Sequence, residues 1–500
     1  MKIAHNILAG LFGSLWSALV GLIAIPYYLK YLGIEAYGLV GFFVALQALL
    51  QLLDLGLSPT INRETARLST SGNMRQLKDL LHTLAVVYWL VGAIIFISIL
   101  ILAPFLADYW FRSKSITQIE IVHAVMLMGL VVAFRWPIGL YQGVLIGSQR
   151  LSIASYVSVG STTIGSLGAV LALAYISPTI KTFFIWQVIA GMIYVISMRW
   201  AAWRALGGSK SSNFQFTELK RIWRYSAGMG AIAITGIIFT QLDKILLSTL
   251  LSLQEFGGYA LASALVGGLY LVVSPVFNII YPKFSSLLIR GETEKIVELY
   301  CLGTRALTSI LFPLAMMLVF FGNDVIFFWT NNEKTGLTIS PVVALLAAGS
   351  ALHGVMYFPY ALQLAFGKPK IPLLINVTLM FLYLPLVIYF VNSKGTIGGG
   401  MAWLVLEIAY FLLGSWVTNR FVLAKIGWSW GYEEVIKPFL ISILVIAAGK
   451  QLIDVFEIPL HVRLLCEIGL ISLLSLILIL SSSKLRYLIL PFIKKKINFL

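Results

Sequence analysis

Apolar runs of eighteen or more residues recur from one end of the chain to the other, broken only by short polar intervals. A run of that length spans the hydrocarbon of a bilayer as a helix, whereas a packed soluble core would need alternating polar faces. Fourteen spans are predicted, over 7–29, 38–61, 82–106, 119–147, 152–176, 183–203, 226–250, 257–281, 300–322, 339–366, 371–392, 398–421, 436–456 and 462–481. The fold class expected is an all-α polytopic membrane protein.

The pattern repeats. At a constant separation of 220 residues, Glu35 meets Glu255, Gly38 meets Gly258, Arg63 meets Lys283, Gly147 meets Gly367 and Arg150 meets Lys370. A fixed offset held over more than a hundred residues is the mark of an internal duplication. Each repeat holds six spans, an even number, so both begin on the same side of the membrane. Two such six-helix bundles are related by a pseudo-two-fold axis along the membrane normal rather than by inversion. The expected division is a first bundle at 1–205, a linker at 206–225, a second bundle at 226–423, and an appended two-span hairpin with a basic tail at 424–500.

Lys and Arg set the orientation. The intervals after even-numbered spans hold Arg63, Arg67, Arg75 and Lys78; Arg150; Arg204, Lys210, Lys220, Arg221 and Arg224; Lys283, Arg290 and Lys295; Lys368 and Lys370; and Lys425. The tail adds Lys484, Arg486, Lys494, Lys495 and Lys496. The other side carries little beyond Lys30, Arg112, Lys114, Lys181, Lys334, Lys394 and Arg463. By the positive-inside rule both termini are cytoplasmic. Arg63, Arg150, Lys283 and Lys370, at repeat-related exits, are candidates for a cytoplasmic gate or loop.

Composition narrows the function. Hydrophobic residues make up 59% and charged ones 11%, too little polar surface for a soluble globule. No polar interval is long enough for an attached catalytic domain. The net charge of +16 would suggest nucleic acid in a soluble protein, but here topology explains it, and no nucleic-acid partner is expected. Cys301 and Cys466 have no neighbour at metal-ligand spacing and read as packing residues. The apolar start, Met1 to Leu29, reads as an uncleaved first span rather than a signal peptide.

Charges within predicted spans stand out, because each costs about 2.5–3.5 kcal/mol at a helix centre. Arg135 lies mid-way along the fourth span, in V-V-A-F-R-W-P, and Glu407 mid-way along the twelfth. Arg135 faces a water-filled cavity or forms a structural ion pair, for which Glu407 is one candidate. Glu407 is in turn an ion-coupling residue or that structural partner. Asp243 and Lys244 lie together in the seventh span, about 100° apart on the helix, so they cannot both face one cavity squarely. Lys244 is a second substrate-binding candidate, or it snorkels to the interface. The offset sets Gln187 against Glu407 and Arg135 against Val355, so the repeats have diverged at their polar positions. Asp54 reads as a cap, and His353 and His123 as isolated packing histidines.

Pro26, Pro104, Pro137, Pro275, Pro313, Pro359 and Pro385 fall within spans, where they kink helices for packing or for gating. Gly160, Gly165 and Gly168 with Ser161 make a small-residue face read as close helix packing. No phosphate-binding G-x-x-x-x-G-K-[ST] is present, and G-T-I-G-G-G at 395–400 is not followed by a dinucleotide-binding unit. No metal or other cofactor is expected, and any driving force is an ion gradient, the membrane potential or the substrate's own gradient.

Asn6, Trp16, Pro26-Tyr27, Leu32-Gly33-x-Glu35-x-Tyr37-Gly38, Leu53-Asp54-x-Gly56-Leu57 and Gly143-x-x-x-Gly147-x-Gln149-Arg150 form a pattern over the first repeat. It resembles the Wzx-type polysaccharide (O-antigen) flippases of bacterial inner membranes, in the multidrug/oligosaccharidyl-lipid/polysaccharide exporter superfamily. The resemblance runs essentially full length, including the span count. It implies movement of an undecaprenyl-diphosphate-linked oligosaccharide from the cytoplasmic to the periplasmic leaflet by alternating access, with cationic residues in a central cavity. Arg135 and Lys244 would fill that role. It also implies a polymerase and a chain-length regulator of the same pathway as partners, beside the lipid bilayer.

The rivals are an ion-coupled drug antiporter of the same superfamily, a lipid II flippase, and a membrane-embedded glycan polymerase. An antiporter for cations suits a cavity of acids and aromatics, against which Arg135 counts. A polymerase needs a sizeable outer loop, and the longest here, about 107–118 and 323–338, are short. The chain therefore reads as a transporter and not an enzyme.

Overall fold

The computed structural model describes residues 2–208, 212–456, 458–481 and 486, so Lys210 and the tail cations Lys484, Lys494, Lys495 and Lys496 lie outside the described residues. Within them the chain is all helix, without a strand. The helices are α1 (Lys2–Leu50), α2 (Leu57–Thr70), α3 (Met74–Phe105), α4 (Gln118–Arg135), α5 (Ile138–Gly147), α6 (Leu151–Tyr175), α7 (Ile180–Ala205), α8 (Phe216–Leu250) and α9 (Leu253–Gly267). They continue with α10 (Tyr270–Ile289), α11 (Thr293–Thr330), α12 (Glu333–Ala365), α13 (Lys370–Phe421), α14 (Lys437–Asp454) and α15 (Leu460–Ser481). Eleven helices among the described residues are long and apolar enough to cross a bilayer. This is a multi-pass membrane protein.

Two of those helices hold two spans each. The 49 residues of α1 would run about 74 Å if straight, more than twice a hydrocarbon core of about 30 Å. The helix is broken at Gly33, with φ 77° and ψ 170°, a conformation a side chain resists. The 52 residues of α13 break likewise at Gly395, with φ 57° and ψ −133°. Beyond that break the chain doubles back so tightly that a Cβ on Gly398 would sit 1.9 Å from the Phe390 carbonyl oxygen.

Three spans predicted as continuous are interrupted. The second breaks at 51–56, where Leu55 and Gly56 turn left-handed before α2 begins. The fourth breaks after Arg135, because Pro137 has no N–H to continue the ladder and its ring crowds the preceding turn. The eighth is divided at Gly268 and Leu269 between α9 and α10.

Contacts divide the chain into units 1–260 and 261–500, and the division falls inside α9. In the first unit α1 packs along α6, α2 along α5, and α4 along α7. The motif residues of the first repeat serve as pins here. Asn6 donates through Nδ2 to the Gln149 carbonyl at 2.7 Å and accepts from the Ser152 N–H, and Trp16 Nε1 donates to Thr163. The Glu35 carboxylate collects the 113–116 loop, accepting from the Lys114 N–H at 2.6 Å and the Ser113 hydroxyl at 2.8 Å. Its repeat partner Glu255 caps its own helix instead, accepting from the Ser252 N–H and hydroxyl. Of the small-residue face on α6, Gly168 packs closely on Trp186, while Gly160 has nothing near it.

Asp79, buried on α3, accepts from the Asn213 N–H at 2.8 Å and from Gln215 Nε2 at 3.0 Å, which fastens the strand of linker entering α8. Nearby, Arg221 of α8 bridges the buried Glu64 and Glu218 at 3.0 and 2.6 Å. In the second unit α12 is the central helix, packed by α10, α11 and α13, and the α14–α15 hairpin lies against α11. That hairpin is anchored where α11 is irregular at Phe321: Lys450 Nζ donates to the Phe320 carbonyl at 2.6 Å, and Arg463 pairs with Asp324 at 2.7 Å.

Candidate functional site

Two of the breaks in the first unit, at 51–56 and at Pro137, open on the same space. It is a cavity of about 670 Å³ lined from α1, α2, α4, α5, α6 and α7, with Ile237 of α8. Breaks of this kind survive in hydrocarbon only where protein or water meets the freed backbone groups. Gln47, Gln51, Gln142, Ser58, Thr162 and Ser166 set amides and hydroxyls in a wall otherwise built of apolar side chains such as Val40, Phe43 and Val132. Ser161 and Gly165, expected to serve only in packing, also line it.

Arg135 is the cation of this cavity. It closes α4, where the negative end of the helix dipole favours a positive charge. Its Nη2 donates to Gln187 Oε1 at 2.6 Å and its Nη1 to Gln47 Oε1 at 3.2 Å, while the guanidinium lies over the Phe43 ring at 5.7 Å. The buried Nε has no hydrogen-bond partner among the described residues. Gln187 is oriented in turn by donating to the Gly165 carbonyl. Neutral amides hold the guanidinium in place without cancelling its charge. Within the first unit no carboxylate pairs with it among the described residues.

Asp54 lines the same cavity but is already engaged. It accepts from the Ser58 N–H at 3.1 Å, the Ser58 hydroxyl at 2.8 Å and the Tyr88 hydroxyl, and so starts α2 after the left-handed turn. The cavity thus presents one open cation, a committed anion and a wall of amides and hydroxyls, an arrangement that accepts an anionic, hydroxyl-rich guest.

Residues 3–288, more than half of the chain, match the family described as polysaccharide biosynthesis protein. The chain belongs to this family. A Shigella flexneri protein named as an O-antigen transporter is 21% identical over 84% of this chain and 98% of its own length. The lipopolysaccharide biosynthesis protein WzxC of Escherichia coli K12 is 26% identical over 43% of each chain. Among solved structures, the lipid II flippase MurJ in an inward closed conformation superposes with a TM-score of 0.69 at 17% identity, over 97% of this chain and all of its own. An inward-facing multidrug-resistance transporter of the MATE family gives 0.68 at 13% identity, over 85% of this chain and 99% of its own. This polysaccharide biosynthesis family member therefore shares its fold with both of these solved structures.

The remaining candidates fall elsewhere in the family member's chain. Asp243 is buried and accepts from the Tyr259 hydroxyl at 2.7 Å; Lys244 folds back to it at 3.3 Å and to the Thr240 carbonyl. Lys244 is not among the residues lining the Arg135 cavity. Glu407, fully buried on α13, meets His353 Nδ1 of α12 at 3.0 Å. His353, expected to stand alone, is thus half of a buried pair, ringed by Tyr270, Tyr357, Trp403 and Tyr410. All four proposed gate cations are exposed, but Arg63 and Lys283 lie within α2 and α10 rather than at exits, while Arg150 and Lys370 stand at the starts of α6 and α13. Sequence reasoning missed Gln47 and Asp54 as cavity residues; the turn-forming run Asp54-Leu55-Gly56-Leu57-Ser58-Pro59 inside a predicted span was the available signal.

Proposed function

We infer that the protein is a lipid-linked polysaccharide flippase. The observation that carries this reading is Arg135: a guanidinium within a predicted span, held by two neutral amides and facing a cavity that carries further amides and hydroxyls. A diphosphate offers paired oxygens to such a planar donor, which stays charged when desolvated. The family and the O-antigen transporter of Shigella flexneri support the substrate class, and the likeness to MurJ supports the fold required.

The substrate proposed is an undecaprenyl-diphosphate-linked oligosaccharide, moved from the cytoplasmic to the periplasmic leaflet of a bacterial inner membrane by alternating access of the two duplicated halves. The halves are proposed at 1–205 and 226–423, with fourteen spans in all and both termini cytoplasmic. Recurrent breaks support the duplication: Gly33 answers to the α8–α9 break and Gly395 to the α6–α7 break, each near an offset of 220 residues. The diphosphate engages Arg135, and the lipid tail stays in the bilayer. Lys244, bound to Asp243, is left with a structural share of the work, and Glu407 with His353 is the candidate ion-coupling pair.

The direct test is reconstitution of the purified chain in vesicles carrying undecaprenyl-diphosphate-linked oligosaccharide in one leaflet. Protein-dependent appearance of the glycan in the other leaflet is expected. Equal rates with and without protein would contradict the reading.

A further inference from the structure

The duplication points to a second binding surface. Three residues that line the Arg135 cavity, Asp54, Ser58 and Gln187, fall 220 positions before Ser274, Asn278 and Glu407. In the second unit Ser274 and Asn278 lie exposed along α10, and Glu407 is buried and held by His353. The face that holds a charged group in the first unit is therefore rebuilt without an exposed charge in the second.

What it presents instead is aromatic. Phe277 stacks on Tyr281 at 5.9 Å with planes 3° apart, and on Tyr360 at 5.8 Å with planes 21° apart. Tyr357 meets Phe277 edge-on at 5.5 Å and leads through Tyr270 to His353. These five aromatic residues of α10 and α12 are half-buried, leaving ring surface accessible. The hydroxyls of Tyr281, Tyr357 and Tyr360 have no hydrogen-bond partner among the described residues. Phenols and an asparagine amide in lipid would be left unsatisfied. The surface of this unit that suits lipid is different: Leu374, Phe381 and Ile388 on α13 and Leu465, Ile468 and Leu476 on α15 are exposed aliphatic and aromatic hydrocarbon.

We propose that the Phe277–Tyr281–Tyr357–Tyr360 face of α10 and α12, with Ser274 and Asn278, binds the sugar rings of the transported glycan. A pyranose has C–H groups on its ring faces and hydroxyls around its rim. The negative face of an aromatic ring attracts the C–H groups, while phenol, amide and serine groups exchange hydrogen bonds with the rim. Such contacts are neutral and tolerant of sugar identity. They hold a moving glycan without trapping it, which a buried charge would do. An organic cation is the competing guest for an aromatic cage, but the carboxylate that would attract it is buried and already paired.

The proposal rests on the flippase reading, and one titration separates the two. The purified full chain in nanodiscs is titrated with undecaprenyl diphosphate and with the same lipid carrying a tetrasaccharide of N-acetylglucosamine and three hexoses. Wild type is expected to bind the glycosylated lipid about tenfold more tightly, the scale of one or two aromatic contacts. Tyr281→Ala with Tyr357→Ala should lose that preference and keep its affinity for the sugar-free lipid. Tyr281→Phe with Tyr357→Phe, which keeps the stack, should retain part of it. Equal binding of the two lipids by wild type, or full preference in the double Ala variant, would overturn the aromatic site alone. Tight binding of tetraphenylphosphonium that the double Ala variant loses would overturn it in favour of a cation. Failure of wild type to bind either lipid would overturn the flippase reading itself.

Discussion

Arg135 of α4 donates to Gln187 of α7 at 2.6 Å, a charge held by a neutral amide. At 220 positions after Gln187, Glu407 holds His353 at 3.0 Å, so the first unit keeps its cation available and the second buries a closed pair. This asymmetry between positions 220 residues apart is the feature from which the functional account follows.

Gln187→Glu tests whether the neutrality of that partner matters. The carboxylate would pair with Arg135 at close range and compete with a diphosphate for it. Glycan transport should fall about tenfold or more, equivalent to about 1.4 kcal/mol of competition for the guanidinium. Thermal stability of the purified protein should hold or rise. Undiminished transport would mean that Arg135 does not need its charge.

The break at Gly33 is a backbone requirement. Gly33→Ala places a Cβ in a conformation that L-residues avoid, at about 1–2 kcal/mol. Nothing lies within 4 Å of the added atom, so the effect is strain and not a clash. A melting temperature lowered by a few degrees is expected; Gly21→Ala, in open space within the same helix, is the control and should hold or slightly raise it, because alanine favours a helix over glycine.

Arg463 holds the appended hairpin to α11. It pairs with Asp324 and Asp454 and lies 3.5 Å from Glu467, which is fully buried. Arg463→Ala leaves that carboxylate without its cation and should destabilise by about 1–3 kcal/mol, less than for a fully buried pair because the guanidinium is partly exposed. Adding Glu467→Leu should recover most of the loss in a thermal melt. No recovery would show that the Asp324 contact alone matters.

Orientation is checked by labelling. In a Cys301→Ser, Cys466→Ser background, cysteines replacing Phe214 and Lys334 should react with an impermeant maleimide from opposite sides of the membrane. Reaction of both from one side would refute the span count or the charge rule as applied here.

Much of the fold was legible because membrane helices advertise themselves through unbroken apolar length, and because Gly33 and Lys394-Gly395 fall in short polar intervals. Arg135 was legible for the opposite reason, as a charge with no place in hydrocarbon. Its partners were not. Gln47 and Gln187 are 88 and 52 residues away on other helices, and only packing brings three separate faces together. The same holds for His353 and Glu407, 54 residues apart. Lys244 shows the limit of counting charges, since its neighbour Asp243 binds it within the same turn.

The central claim is that the Arg135 guanidinium receives the diphosphate. Translocation of undecaprenyl-diphosphate-linked oligosaccharide by wild type, Arg135→Lys and Arg135→Ala, each reconstituted at equal protein density, tests it most directly. The account predicts that Arg135→Ala loses transport while melting like wild type, and that Arg135→Lys keeps a fraction, because an ammonium brings the charge without the paired donors. Transport by Arg135→Ala at the wild-type rate would contradict it.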